Sequence, residues 1–153
     1  MLLLAASCAL SAVGRAQPAP PPLTISIRAG RDIASASSTV QLQVTLRNNS
    51  NRTITLELTS PLCDYAVEVR DSTGNLAPDT EVKRESDCAS HAAGRDIIVQ
   101  LRPHESHKDT IPLSMFSDMS KPGKYSVQVM WKSPKEFGGG VAKSNTITIT
   151  VTK

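Results

Sequence analysis

The chain contains several segments in which apolar and polar residues alternate, and the clearest are Val40–Leu46 and Tyr125–Trp131. Because successive side chains of a strand point to opposite faces of a sheet, this pattern predicts strands with one face in a core and one face in water. In the first segment the valine and leucine side chains are predicted to face the core, and the glutamines to face solvent.

Eight segments fit strands of this kind, and residues typical of turns separate them. They are Leu23–Ile27, Val40–Leu46, Thr53–Leu58, Tyr65–Val69, Ile97–Leu101, Thr110–Leu113, Tyr125–Trp131 and Thr146–Val151. The Asn-rich run at 47–52 predicts an antiparallel hairpin between the second and third segments. One short helical turn is expected at 114–120. Helical segments of about ten residues, which a parallel α/β sheet needs between its strands, are absent from the pattern. The sequence therefore predicts an all-β, immunoglobulin-like antiparallel sandwich of 7–8 strands.

The first residues have the character of an export signal. Residues 1–16 are apolar and small, and they end in a sequence that predicts cleavage after Ala16. Residues 17–22 form a Pro-rich linker, and 23–153 are the size of one domain. A second interpretation takes Ala5–Cys8 as a lipobox with a lipid anchor at Cys8. No other apolar stretch reaches the roughly 20 residues that a membrane helix needs.

Removal of the leader leaves two cysteines, Cys63 and Cys88, in a chain directed to an oxidising compartment. They are predicted to form one disulfide, which on the chain-entropy model contributes roughly 3 kcal/mol for a loop of this length. The alternative of two free thiols at a metal or catalytic site lacks a nearby Cys or His in a zinc-like spacing.

The net charge is small. The formal value is +3 for the whole chain, and loss of Arg15 with the leader lowers it to +2. Along the sequence the charges are too few and too scattered for a nucleic-acid surface. No cofactor motif and no nucleophile signature accompany the three histidines, so an enzyme is disfavoured.

The densest group of potential metal ligands is His104 and His107, followed by Asp109. Two imidazoles three positions apart are poorly matched to one face of a strand, and the segment follows Pro103 in a predicted connection. A solvated turn is therefore the favoured interpretation. A copper-handling hypothesis adds the thioethers of three methionines to the two histidines, since thioethers favour Cu(I). Scattered methionines more often fill cores and surfaces. The three are Met115, Met119 and Met130.

The segment Lys121–Val129 resembles the penultimate strand of immunoglobulin-like domains, in which a tyrosine near the strand start binds the backbone through its hydroxyl. Tyr125 is the candidate. Three further segments contribute to the resemblance: Leu46–Ser50, Tyr65–Gly74 and Leu101–Ser106. The order of these four segments along the chain is similar to that in small secreted bacterial immunoglobulin-like domains and, in outline, to that in the BsuPI-type proteinase inhibitor domain. Val127 stands where an antibody-type domain has its second inter-sheet cysteine, so that framework is not implied.

Two surfaces are candidates for binding a partner. Phe137, Gly138 and Gly139 lie at the predicted tip of the last hairpin, where a flexible loop can present one apolar ring. The long polar segment 76–95, tethered through Cys88, is the other, and a purely structural excursion explains its length equally well.

The leading hypothesis is a non-enzymatic exported module that binds a protein or a polymer in the cell envelope or outside the cell. A proteinase inhibitor and a periplasmic metal-handling protein are the alternatives.

Overall fold

The computed structural model describes residues 21–36, 38–88, 97–133 and 140–153. Its ten strands are β1 (Leu23–Ala29), β2 (Ile33–Ser35), β3 (Gln41–Asn48), β4 (Ile54–Leu58), β5 (Tyr65–Arg70), β6 (Ile97–Leu101), β7 (Ser106–Pro112), β8 (Gly123–Ser133), β9 (Gly140–Lys143) and β10 (Ile147–Thr152). Two short helices, α1 (Pro61–Asp64) and α2 (Glu81–Glu85), and a 3₁₀ helix at Leu113–Met115 lie in the connections.

The strands form two main sheets. Sheet A has the order β1-β3-β7, and sheet B has the order β2-β10-β8-β5, with β9 also paired to β8. The pair β4-β6 forms a separate two-stranded sheet. Every pair is antiparallel except β2 with β10, which is parallel. The prediction of an all-β sandwich is confirmed. The sequence pattern missed β2 and β9 because segments of three and four residues are too short to show alternation.

The core is built from the alternating positions of both sheets. Leu42, Val44 and Leu46 of β3 are fully buried, as are Val127 and Val129 of β8. The large rings of Tyr65, Tyr125 and Trp131 also lie in this core. The pattern therefore predicted buried positions of both sheets. Burial of apolar side chains at such positions is the main source of stability in a sandwich of this kind.

The predicted hairpin between Val40–Leu46 and Thr53–Leu58 was wrong. β3 pairs with β1 and β7, whereas β4 pairs with β6. The Asn-rich run between them carries the chain from one sheet to another instead of reversing it within a sheet. The predicted strand at 110–113 also begins earlier, at Ser106, so His107 lies in a strand and not in a turn.

The crossing between β3 and β4 is held by Asn48, whose side chain is fully buried. Its Nδ2 donates to three backbone carbonyls: Arg52 at 2.7 Å, Leu101 at 3.0 Å and Arg102 at 3.1 Å. Its Oδ1 accepts from the N–H and the hydroxyl of Ser50. Because a buried carbonyl without a donor is costly, this one amide allows β3, the crossing and the end of β6 to meet inside the protein.

A second asparagine joins the two main sheets at edge strand β1. The side chain of Asn145, between β9 and β10, accepts from the N–H of Ile27 at 2.9 Å and donates to its C=O at 3.0 Å. It therefore occupies the hydrogen-bonding groups of one residue of β1 as a neighbouring strand would.

The predicted role of Tyr125 is confirmed. Its hydroxyl donates to the carbonyl of Lys121 at 2.8 Å, which fixes the turn that enters β8.

Replacement of Asn48 by Asp should lower the free energy of unfolding by about 3 kcal/mol, because it removes the donor to the Leu101 carbonyl inside the protein and places a buried carboxylate beside it. Urea denaturation of both proteins measures the difference. The matched control is Asn49→Asp, since Asn49 is only half-buried and its substitution should cost less than about 1 kcal/mol. Equal losses at the two positions would contradict the assigned role of Asn48.

Candidate functional site

A cleft of about 410 Å³ opens at one end of the sandwich, next to edge strand β2. Three segments and Val151 of β10 line it. The segments are the end of β2 with residues that connect it to β3, the segment 78–84 at the start of α2, and the segment 114–120 that leads to β8. Its floor is apolar and its rim is polar. The floor and rim residues used below are Val40, Asp79, Glu81, Asp118, Met119 and Val151.

Backbone hydrogen bonds hold two walls of the cleft together. Asp79 and Ser117 form an antiparallel bridge, and the N–H of Asp118 donates to the carbonyl of Pro78 at 2.8 Å. The hydroxyl of Thr80 donates to the carbonyl of Met115 at 2.7 Å and accepts from the N–H of Lys83 at 3.2 Å. Thr80 is thus both the N-cap of α2 and its attachment to the neighbouring wall.

The cleft carries an excess of negative charge. Three carboxylates line it, those of Asp79, Glu81 and Asp118, against one guanidinium, that of Arg84. Arg84 donates to the backbone carbonyl of Asp79 at 3.2 Å. The backbone N–H of Ser120 holds the pKa of the Asp118 carboxyl below its usual value, so this group stays ionised at neutral pH.

The disulfide predicted from the sequence is present, between Cys63 and Cys88, with the two Cα atoms 5.4 Å apart. It anchors the segment after α2 to α1. Lys83 adds a second attachment, because its Nζ donates to the carbonyl of Leu62 at 3.0 Å and lies 5.6 Å from the centroid of the Phe116 ring. The first part of the long segment 76–95 is therefore an ordered wall of the cleft; residues 89–96 lie outside the described residues.

A second polar group lies at the edge between the sheets. The buried Tyr65 hydroxyl donates to Oδ2 of Asp109, and His107 Nε2 lies 3.0 Å from Oδ1 of the same carboxylate. Asp109 points to the core side because it is paired with Val44 of β3. Burial, followed by the hydrogen bond to Asp109, raises the pKa of the Tyr65 hydroxyl. The three groups satisfy one another, which is typical of a structural polar contact.

The structure separates the two histidines that the sequence placed together. His107 lies in β7 beside Asp109, whereas His104 is exposed in the turn before β7, with a φ of 66°. Within the described ranges no group of three or more His, Cys, Asp and Glu side chains could hold a metal ion. A role for His104 and His107 in metal binding stays a hypothesis.

Several other predictions fall on parts of the chain that the structure does not describe. These are the leader, Cys8 and the hairpin tip with Phe137, Gly138 and Gly139. Of the helices that are described, none has the length and apolar character to cross a membrane.

Most of the cleft is not evident from the sequence. Only the wall at 78–84 lies in a segment that was predicted to bind a partner, and 114–120 was predicted only as a short helical turn. Thr80 before α2 carries a usable signal, since threonine is a favoured N-cap residue. Asp118 carries no such signal, and Met119 was considered only as a copper ligand, because only the folded chain brings the two residues beside others about 40 positions earlier.

The profile of one protein family matches residues 25–152, which is most of the chain. The family is described as flagellar collar protein C, N-terminal domain. The chain belongs to this family. The match is with a flagellar collar domain and not with the BsuPI-type proteinase inhibitor domain, so that part of the resemblance is not shown. No curated protein is significantly similar to the chain in sequence.

Three solved structures are similar to this collar-family domain at low identity. The CARDB domain of a Pyrococcus furiosus protein, in complex with di-metal ions, has a TM-score of 0.45 and 16% identity and covers 86% of this chain and 89% of its own. A β-glucosidase from Erythrobacter marinus has a TM-score of 0.46 and 15% identity, over 85% of this chain and 15% of its own. The sporulation control protein Spo0M from Bacillus subtilis has a TM-score of 0.45 and 11% identity, over 86% and 50%. Likenesses at this level carry no argument about function.

Loss of the disulfide should destabilise the collar-family domain by about 3 kcal/mol, because the unfolded chain gains the entropy of an open loop. The change is Cys63→Ala with Cys88→Ala, and urea denaturation measures it. Hydrogen exchange should also quicken at 78–84. As a control, a reducing agent should not lower the stability of the double variant further. A decrease of less than about 1 kcal/mol in its free energy of unfolding would contradict the prediction.

The stability of the domain should fall as the pH rises above 10, the ordinary pKa of tyrosine. The Tyr65 hydroxyl ionises in the unfolded chain at that pH but not in the folded one, so its contribution is complete below pH 10 and is lost above it. Tyr65→Phe should be less stable than the wild type at pH 8 by about 1–2 kcal/mol. The difference in the free energy of unfolding between the two proteins should become smaller between pH 9 and pH 11, as measured by urea denaturation. A gap independent of pH would overturn this assignment.

Proposed function

We propose that this chain is an exported, non-enzymatic immunoglobulin-like module that binds a partner protein in a cell-envelope assembly of the flagellar collar type. The observation that carries the proposal is the family match, which extends over nearly all of the described sandwich. Export is supported by the Cys63–Cys88 disulfide, since such bonds persist in oxidising compartments. The apolar leader at 1–16 agrees with this location.

The acidic cleft is the contact site in this proposal. Its two walls are fixed to each other by the Asp79–Ser117 bridge and by Thr80, and its outer wall is fixed to the rest of the domain by the disulfide. A preformed concave site of this kind costs little ordering when a partner enters. The arrangement places binding groups on a rigid sandwich, as in other recognition domains of this architecture.

The chemistry of the cleft indicates the kind of segment that it accepts. The floor is apolar at Val40, Val151 and Met119, and the rim carries the carboxylates of Asp79, Glu81 and Asp118. A lysine or arginine side chain matches both features, because its aliphatic part can lie on the floor while its charge reaches the rim. The partner is therefore proposed to insert a basic side chain flanked by apolar residues.

The test is genetic and structural, in the organism that carries the gene. Deletion should remove or reduce the collar density around the flagellar base in electron cryotomograms, and the wild-type gene should restore it. The same strains, fractionated into periplasm, membrane and cytoplasm, should place the protein outside the cytoplasm. An unchanged collar in the deletion strain would overturn the proposed function.

Complementation with two charge-reversal variants tests the cleft. Asp79→Lys should fail to restore the collar, because it places a positive charge where a basic side chain binds, whereas its backbone bridge to Ser117 is kept. Glu57→Lys is the matched control, since Glu57 is also exposed, on β4, and outside the cleft. Both proteins should show wild-type unfolding curves. Restoration of the collar by Asp79→Lys would exclude the cleft as the contact.

A further inference from the structure

The outer face of sheet A carries positive charge and no negative charge. The side chains that point away from the core on its three strands are Thr24, Ser26, Arg28, Gln41, Gln43, Thr45, Arg47, Ser106, Lys108 and Thr110. We call this surface the cationic face. The one acidic residue of β1, β3 and β7 is Asp109, and it points to the other side, toward Tyr65.

The sheet gathers charges that are far apart in the sequence. In the register of sheet A, Thr45 is paired with both Ser26 and Lys108, and Arg47 lies two residues further along β3. With strands about 4.8 Å apart and about 6.7 Å between alternate residues of a strand, the Cα atoms of Arg28, Arg47 and Lys108 are spaced by about 8 to 14 Å. Three cations that looked scattered along the chain therefore form one patch.

The cationic face contains two shallow depressions. One, of about 260 Å³, is lined by residues that include Ser26, Arg28, Thr45 and Lys108. The other, of about 440 Å³, adjoins Gln41 and Thr110 and shares Arg28 and Gln43 with the first. Together they give an elongated surface across the three strands, on which hydroxyl and amide groups lie between the cations.

The composition of the cationic face indicates which class of partner it fits. Protein interfaces concentrate aromatic and other apolar side chains at their centre, and membrane-surface elements carry an apolar side that enters the lipid. None of the outward side chains on β1, β3 and β7 is apolar or aromatic, apart from the ends of the strands. Hydroxyls, amides and spaced cations instead match a chain of sugars with carboxylate groups, since each carboxylate can pair with Arg or Lys and each sugar hydroxyl can hydrogen-bond.

We propose that the cationic face is a binding site for an anionic polysaccharide. It shares no lining residue with the acidic cleft. One module can therefore hold a protein segment at the cleft and a charged envelope polymer at sheet A. Binding of this kind is mainly electrostatic, so it weakens as salt screens the charges.

The experiment measures binding of polygalacturonate to the purified full-length chain by isothermal titration calorimetry, at about 50 mM and about 200 mM salt. The wild type should bind at the lower salt and bind severalfold more weakly at the higher one, and neutral dextran should not bind. Arg28→Ala with Lys108→Ala should weaken binding by roughly fivefold or more, which is the effect expected from removing two exposed ion pairs of ordinary strength.

The matched control is Lys124→Ala with Lys143→Ala, which removes the same charge from exposed positions on sheet B. It should bind as the wild type does. Equal weakening of the two variants would show that only net charge matters and would overturn the site, as would no binding at the lower salt. Binding to vesicles with anionic phospholipid but not to polygalacturonate would also overturn it, in favour of a membrane surface. Asp79→Lys should bind polygalacturonate at least as well as the wild type, so failure at this face and failure at the cleft are distinguishable.

Discussion

The structure depends on how a chain of short alternating strands passes from one sheet to another without leaving buried carbonyls unpaired. Asn48 provides the solution at the main crossing, since one buried amide serves the end of β3, the crossing itself and the end of β6. Asn145 provides a similar solution at edge strand β1, where it completes the hydrogen bonds of Ile27. Burial of Leu, Val and Ile supplies most of the stability, but it does not direct the chain. These two side-chain amides satisfy backbone groups where the chain passes between sheets, and they hold in place the strands that carry the cleft and the cationic face.

The cleft results from the connection between β5 and β6, which is longer than a sandwich requires. Its first part bridges to Ser117, is capped by Thr80 and is attached to α1 through the disulfide. Loops that carry function are usually mobile, whereas a disulfide and several hydrogen bonds attach the described part of this loop to the sandwich. The acidic rim and the apolar floor draw on different parts of the chain, with Asp79 from this loop, Val40 from the connection before β3 and Val151 from β10.

The sequence predicted well the features that depend on residues close in the chain, but it did not predict which strands pair with each other. Alternation identified the buried positions of β3 and β8, and the segment before Tyr125 identified its hydroxyl contact, because both depend on residues close in the chain. The pairing of β3 with β7 and of β4 with β6 joins residues that are tens of positions apart, such as Arg47 with Ser106 and Ile54 with Leu101. Nothing in the polar run at 47–52 distinguishes a hairpin from a crossing. The same limit explains the sites. Arg28, Arg47 and Lys108 are unremarkable singly, and only the register of sheet A makes them one surface.

The parallel pairing of β2 with β10 has a mechanical consequence. Consider a force that pulls on the segments before β1 and after β10. Once β1 has detached, this force acts on the beginning of β2 and on the end of β10. In a parallel pair these points lie at opposite ends of the ladder, so the bonds from Thr150 N–H to Asp32 and from Ala36 N–H to Thr152 are sheared together and not opened in turn. Forced extension is governed by the rate of crossing such a barrier and not by the equilibrium stability of the fold. Along this route the pull is therefore resisted at β2, a strand of only three residues.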